Sequence, residues 1–426
     1  MLVASSRPSP RPDPRAEDVV RRRDPVGLHA GAPLSVLPTV RGAEAVFLLA
    51  APEMAAAEAR LGQLVASEVP VVARIGHYLA QSGGKRLRPL LTALGAGAVG
   101  HAGPVSGLMC VGELIHLGSL LHDDVVDDGL MRRGVPAAQR VFGNAAVILT
   151  GDFCLARAVL LAAEEGGHAA VTGLAAAVTA MAEGEVLQLQ RAGNLATTLE
   201  EYLEMVDKKS AALIAWCTSA GALASGDTAA AAVLHQYGRA VGVAFQITDD
   251  VLDYGGPTGK TAGQDLRERK LTLPLVHAMA RVPGLRARLE AAPPEPHELP
   301  ELCAIVRGSG ALDAAHAEAH RRVDEALVGL QVLPPGPHRD GLAVLGRHLV
   351  ERCTSACRRA IPGIPGRWAG RSRATLRVRR PCRRCSPGSP PATTGPTCGC
   401  RWGSIGPGVD RQSERSVRPP MGTCSI

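Results

Sequence analysis

The chain has 426 residues, of which 46% are apolar and only 3% aromatic, and a formal charge of +7. Ala and Leu lead the apolar share and favour helices, and the scarcity of alternating β-branched and aromatic residues excludes a strand-rich domain. The basic charge is confined to one end: residues 361–426 carry twelve Arg against Asp410 and Glu414, a surplus of ten, so residues 1–360 sum to about −3 and the basic excess says little about the body.

Residues 1–52 are rich in Pro, Arg and Ala without periodicity, and are expected to be disordered. Their one apolar run, residues 46–51, is too short for a secretory signal. From 53 to 360 apolar periodicity recurs in segments separated by Gly, Pro or Asp. It predicts helices over 54–67, 70–81, 85–99, 104–128, 137–149, 151–165, 169–192, 198–224, 227–254, 271–281, 298–308, 310–331 and 338–359. The longest uncharged run, residues 89–112, is broken by Gly100, His101, Gly103 and Pro104, so no segment of transmembrane quality is expected. A cytoplasmic address follows, with Cys110, Cys154, Cys217, Cys303, Cys353 and Cys357 reduced and acting as small apolar residues. The tail, residues 361–426, offers nothing to bury and is also expected to be disordered. Its pairs Cys382/Cys385 and Cys398/Cys400 come without His in a low-complexity stretch, which disfavours a zinc site. Its Arg residues lack interleaved aromatics, which disfavours a nucleic-acid partner.

Two predicted helices carry one acidic pattern. The first reads His122-Asp123-Asp124-Val125-Val126-Asp127-Asp128, the second Thr248-Asp249-Asp250-Val251-Leu252-Asp253. Helix residues four apart lie on one face roughly 5–6 Å from each other, so Asp123 pairs with Asp127 and Asp249 with Asp253. Aspartate normally titrates near ~3.9, so four such groups facing one cavity repel at neutral pH. A divalent cation removes the repulsion, and magnesium held by a few carboxylates completes its shell with water and substrate phosphates. The pattern therefore suits a metal–diphosphate complex between two helices. Glu113 and His116 fall close to the face of Asp123 and Asp127, among Leu114, Ile115, Leu117, Leu120 and Leu121, which favours a cavity-lining stripe. Gly118 and Ser119 make the surface one turn below Asp123 small-sided. Three basic clusters, Gly83-Gly84-Lys85-Arg86-Leu87-Arg88-Pro89, Arg132-Arg133-Gly134 and Asp207-Lys208-Lys209-Ser210, suit further phosphate groups.

Taken in order with Phe142-Gly143-Asn144, Thr150-Gly151-Asp152, Ala182-Glu183-Gly184-Glu185, Gly259-Lys260 and Leu273-Pro274, these motifs make residues 54–359 resemble the trans-isoprenyl diphosphate synthases of the polyprenyl synthetase family. One departure is Arg269, where the family usually has Gly. The resemblance implies an all-α isoprenoid synthase-type bundle around a central cavity. It implies transfer of an allylic diphosphate's prenyl group to isopentenyl diphosphate, with three Mg2+ per site. It also implies a homodimer, no transmembrane segment, and at most loose membrane association for product release. Carried over by motif, Asp123, Asp127 and Asp249 bind magnesium, supported by Asp124, Asp250 and Asp253. Lys85, Arg88, His116 and Arg133 take the diphosphate of isopentenyl diphosphate. Arg132, Lys209, Ser210, Gln246 and Lys260 take the allylic diphosphate. Glu183 and Glu185 read as packing or supporting residues rather than ligands.

Three other functions compete. A class I terpene cyclase needs no isopentenyl site and usually carries an Asn/Ser/Glu motif on its second helix. A non-catalytic subunit normally lacks aspartates in one motif. A short-chain synthase often has bulky residues or an insertion at the first motif, where this chain has Gly118-Ser119 and no insertion. A helical turn advances ~5.4 Å, roughly one isoprene unit, and about 19 residues of helix upstream allow roughly 29 Å of channel. A product of about seven to ten units, octaprenyl above all, is expected, of the kind used for quinone side chains.

Overall fold

Stretches rich in Ala and Leu become helices one after another. The computed structural model describes residues 42–81, 84, 86–132, 134–255 and 263–351; Lys85, Arg133, Lys260 and the tail with its Cys pairs lie outside the described residues. The helices are α1 Ala43–Leu49, α2 Ala51–Leu64, α3 Pro70–Gln81, α4 Leu87–Ala98, α5 Ser106–Val126, α6 Ala138–Phe142, α7 Asn144–Arg191 and α8 Leu199–Val206. A π-turn, Asp207–Ala211, leads into α9 Ala212–Ser225 and α10 Thr228–Asp253. The remainder are α11 Gln264–Arg267, α12 Leu273–Arg281, α13 Leu285–Ala291, α14 Leu299–Gly308, α15 Ala311–Leu330 and α16 Pro337–Glu351. Among the described residues one antiparallel hairpin, β1 Met131–Arg132 with β2 Val135–Pro136, follows α5.

The all-α expectation holds, and α5 and α10 are the two Asp-bearing helices. Both sit inside the bundle: α5 packs on α7 and α10 on α9 and α15. Leu108, Met109, Leu114, Leu121, Val241, Ala244 and Ile247 are all fully buried there. A smaller apolar cluster around Tyr254, Leu266, Leu275, Leu302 and Val306 supports the segment after α10. Helix starts follow local chemistry. Thr198 and Glu201 form a reciprocal capping box at α8, and Asp227 caps α10 by accepting the Ala230 N–H at 2.9 Å.

Several boundaries differ from the sequence reading. The N-terminal segment expected to be disordered through residue 52 is helical from Ala43, with Val46 and Ala50 buried where α1 meets α16. Tertiary packing supplies there what periodicity over seven residues could not signal. The predicted break at 150 vanishes into α7, whereas the one at 166–168 falls where two helical halves meet in a kink at Gly167, whose φ 68° and ψ −169° are not helical. Part of α7 is, contrary to expectation, long and apolar enough to cross a membrane by length and composition. Its inner face, with Thr150, Cys154, Ala158, Leu161 and Leu174, is buried against α5 and α9, so it reads as a core helix. The hairpin and α13 were not anticipated at all.

Candidate active site

The first Asp motif closes α5. Its backbone stays helical to Val126, and Asp127 stands at the C-cap, exposed. Asp124 turns inward instead: it is buried, takes the Arg132 Nε–H in an ion pair, and accepts the Ala138 N–H at 3.3 Å. Arg132, expected to face substrate, is thereby held to the hairpin's root. Asp123 is half-buried, and its carboxyl is pushed up to about 6, chiefly by burial and next by the nearby Glu185 carboxylate, with Lys209 and Arg132 opposing.

The second motif sits deeper. Asp250 is buried and accepts two neutral hydrogen bonds, from Tyr202 O–H at 2.6 Å and Gln246 Nε2–H at 2.8 Å. Gln246 Oε1 in turn accepts from Ser210 Oγ at 2.8 Å, which continues the chain onto the π-turn. Burial raises the Asp250 carboxyl, partly offset by those two donors and worsened by Asp249 and Asp253. Asp253 accepts the Asp265 N–H at 3.0 Å, and the half-buried Asp265 is itself raised, first by desolvation and next by Asp250 and Asp253. Asp249 is half-buried.

Lys209 lies on the π-turn and pairs with Glu185 Oε2 at 2.5 Å. Its approach requires Gly184: a Cβ there would strike the Lys209 backbone nitrogen. Lys270 pairs with Glu268 at 2.6 Å; burial works against its charge, but Glu268, Asp127 and Asp265 together raise it. Lys270 thus feels carboxylates that follow from both Asp helices. A cavity of about 190 Å³ opens here, lined by Tyr202, Lys209, Ser210, Gln246, Asp265 and Lys270 among others.

The basic cluster before α4 divides. Arg86, at the N-cap with φ 47°, grips Glu58 at 3.0 Å through Nε and through Nη2, and Glu113 at 2.5 Å through Nη1. Glu113 therefore supports Arg86 and does not line the Asp cavity as its face suggested. Arg88 has a buried Nε with no hydrogen-bond partner, and burial lowers its guanidinium despite Glu113. An unpaired buried donor of this kind suits an incoming anion. His116 is half-buried on α5.

Gly118 is not where the channel reading needs it. A Cβ on Gly118 would lie 3.0 Å from the Gly151 carbonyl and 3.5 Å from Cys154 and Leu155, so it serves the α5–α7 contact. Ser119 remains half-buried, its Oγ donating to the His116 carbonyl at 3.0 Å. Glu185, read as a supporting residue, does support Lys209, whereas Tyr202, Asp265 and Lys270 were missed from sequence, with no local signal to mark them.

Could these carboxylates hold divalent cations? Among the described residues no three acidic, His or Cys side chains converge as a closed cage. That suits magnesium, which takes one or two carboxylates per ion and completes its shell elsewhere. The carboxyls of Asp123, Asp250 and Asp265 are raised first by burial and then by neighbouring carboxylates, and a hard cation would offset both.

Two acidic helices, a cation ledge and an unpaired Arg within an all-α bundle define a diphosphate-handling enzyme of the isoprenoid synthase class. Residues 69–304 match the family model for polyprenyl synthetase. The chain is 37% identical to the octaprenyl diphosphate synthase of Escherichia coli over 313 residues, 71% of this chain and 97% of that protein. It is 34% identical to the all-trans-nonaprenyl-diphosphate synthase (geranyl-diphosphate specific) of Rhodobacter capsulatus, over 71% and 95% of the two chains. A crystal structure of polyprenyl synthase from Caulobacter crescentus, complexed with calcium and isoprenyl diphosphate, superposes with TM-score 0.71 at 38% identity, covering 74% and 99%. The chain belongs to the polyprenyl synthetase family. It is a trans-prenyl diphosphate synthase, a prenyltransferase.

Proposed function

We propose that this chain extends an allylic diphosphate with isopentenyl diphosphate to a long all-trans product of about C35–C50, octaprenyl above all, for quinone side chains. The observation that carries the reading is the cavity in which Lys209 and Lys270 meet the hydrogen-bonded chain Ser210–Gln246–Asp250 of the second Asp helix. Magnesium, about three ions held by Asp123, Asp127 and Asp249, would stabilise charge gathering on the leaving diphosphate. Lys209, Lys270, Gln246 and Ser210 bind and orient the allylic diphosphate, with Lys260 and Arg132 as further donors. Arg88 and His116, with Lys85 and Arg133, hold isopentenyl diphosphate so that its double bond faces the allylic carbon. The proton lost after coupling goes to the departing diphosphate, and no protein base is required.

Long-chain output is supported by the octaprenyl and nonaprenyl relatives and by Ser119, which leaves the face below Asp123 small. Residues 53–360 form the synthase domain, extended at its N-terminal side by the helix from Ala43; the protein is cytoplasmic. We propose a homodimer built on the outer face of α7, where Ile148, Leu149, Val159 and Leu160 are exposed about three turns apart. The test is incubation with Mg2+, labelled isopentenyl diphosphate and each allylic primer, followed by sizing of products. Products of seven to ten units support the reading. Termination at fifteen or twenty carbons favours the short-chain alternative, and no condensation without an added partner chain favours a subunit role.

A further inference from the structure

The short helix α11 ends at a residue that ordinarily avoids this conformation. Lys270 N–H donates to the Asp265 carbonyl at 2.9 Å and Arg269 N–H to the Leu266 carbonyl at 3.1 Å, the paired bonds of a Schellman ending. Arg269 occupies its left-handed position, φ 51°. Glycine takes that conformation freely, whereas a side chain makes it costly. The Arg side chain does something glycine could not: Nη2 donates to the Gly193 carbonyl at 3.4 Å. The Arg269 carbonyl accepts the Gly193 N–H at 3.2 Å. Gly193 lies in the α7–α8 connection, whose Ala192 and Thr197 line the same cavity as Lys270, Leu271 and Thr272. Arg269 is itself only partly exposed, and its Nε is buried. The side chain therefore spans from one wall of the cavity to the other, one residue before Lys270.

We propose that Arg269 is a positioning residue that clasps the α7–α8 connection to the segment carrying Lys270, holding the mouth of the allylic cavity at a set width. The left-handed backbone is retained because the side chain is needed for the clasp. This inference rests on the proposed allylic role of Lys209 and Lys270. Without the clasp the ledge must be ordered by the substrate itself, which weakens allylic binding while leaving the isopentenyl side, around Arg88 and His116, unchanged.

Three variants separate the clasp from plain stability. R269G frees the backbone but removes the side chain; R269A keeps the backbone cost and removes the side chain; R269K keeps one donor. KM for the allylic primer, KM for isopentenyl diphosphate, and Tm are measured for each in the full chain. A hydrogen bond's usual worth predicts about a three- to tenfold rise in allylic KM for both R269G and R269A, with isopentenyl KM unchanged and R269K intermediate. R269G should melt at or above R269A, which separates backbone strain from binding. An allylic KM in R269G equal to that of the intact chain, or equal shifts in both KM values, would overturn the clasp. If the unaltered protein makes no prenyl product, the functional reading fails instead, and the two failures are told apart.

Discussion

The two Asp motifs read alike but sit in different physical settings. In α5 the middle carboxylate, Asp124, is neutralised by a cation, Arg132. In α10 its counterpart, Asp250, is held by neutral donors, Tyr202 and Gln246, and stays raised. The first motif frays into an exposed C-cap at Asp127, whereas the second is helical through Asp253 and braced by the Asp265 N–H. In both, the middle aspartate anchors the helix, and the first, Asp123 or Asp249, is half-buried. Identical spelling thus divides into one anchoring and one presenting carboxylate per motif.

The largest expected effect tests the presenting pair. Asp123→Ala and Asp249→Ala should each lower turnover by about 10³ or more, since metal charge stabilisation is worth several kcal/mol. Circular dichroism should show both still helical, because removing one of several repelling groups relieves the apo protein. Near-normal Mg2+-dependent turnover in both variants would contradict the assignment.

Arg88→Ala comes next. A charged contact is commonly worth ~1.5–3 kcal/mol, so the isopentenyl KM should rise roughly ten- to a hundredfold with little change in the allylic KM. Equal effects on both substrates would merge the two sites.

The anchoring residues should show in stability. Asp250→Ala leaves the buried Tyr202 hydroxyl without its acceptor and should cost about 1–3 kcal/mol, seen as a lower Tm than that of Asp249→Ala. The steric contrast between neighbours is similar in size. Gly118→Phe must push into the Gly151 backbone and should destabilise by about 1–3 kcal/mol. Ser119→Phe should fold and shorten the product towards three or four units. Unchanged product length in Ser119→Phe would move the channel floor elsewhere.

The smallest effect is on pH. Asp123, Asp250 and Asp265 are raised above their unfolded value near ~3.9, so the folded apo protein holds extra protons. Their stabilising share is complete below about pH 4 and is lost as pH climbs through about 6 and above. From these groups, apo Tm should fall modestly from pH 5 to 8, while the gain from added Mg2+ and diphosphate should grow over that range. A Mg2+-induced gain that shrinks with rising pH would contradict the crowded-carboxylate account.

Sequence patterning carried the helices furthest where it was long: 104–128 and 227–254 correspond to α5 and α10 within two residues at every end. It failed on short or composite elements. Helix α1 has too few turns to show a period, and Gly151, read as the first residue of a new helix, is a contact point within α7: a Cβ there would strike the His122 ring. Within the site, the Asp pairs and Arg88 were legible because helix spacing and charge mark them locally.

What the amino-acid sequence determined by itself is the chemistry: two carboxylate pairs at helical spacing, basic clusters around them, and an apolar helical frame. Which groups share a field was decided only by the tertiary structure. Lys270 lies 143 positions beyond Asp127 yet feels it, and Glu185 reaches Lys209 only because Gly184 admits the π-turn. Gly118 and Ser119 are neighbours in the chain and face different surroundings, because adjacent helix positions point about 100° apart. Spacing along a helix is a local property of the backbone. The partner a side chain meets depends on packing against distant segments, and no local pattern encodes that.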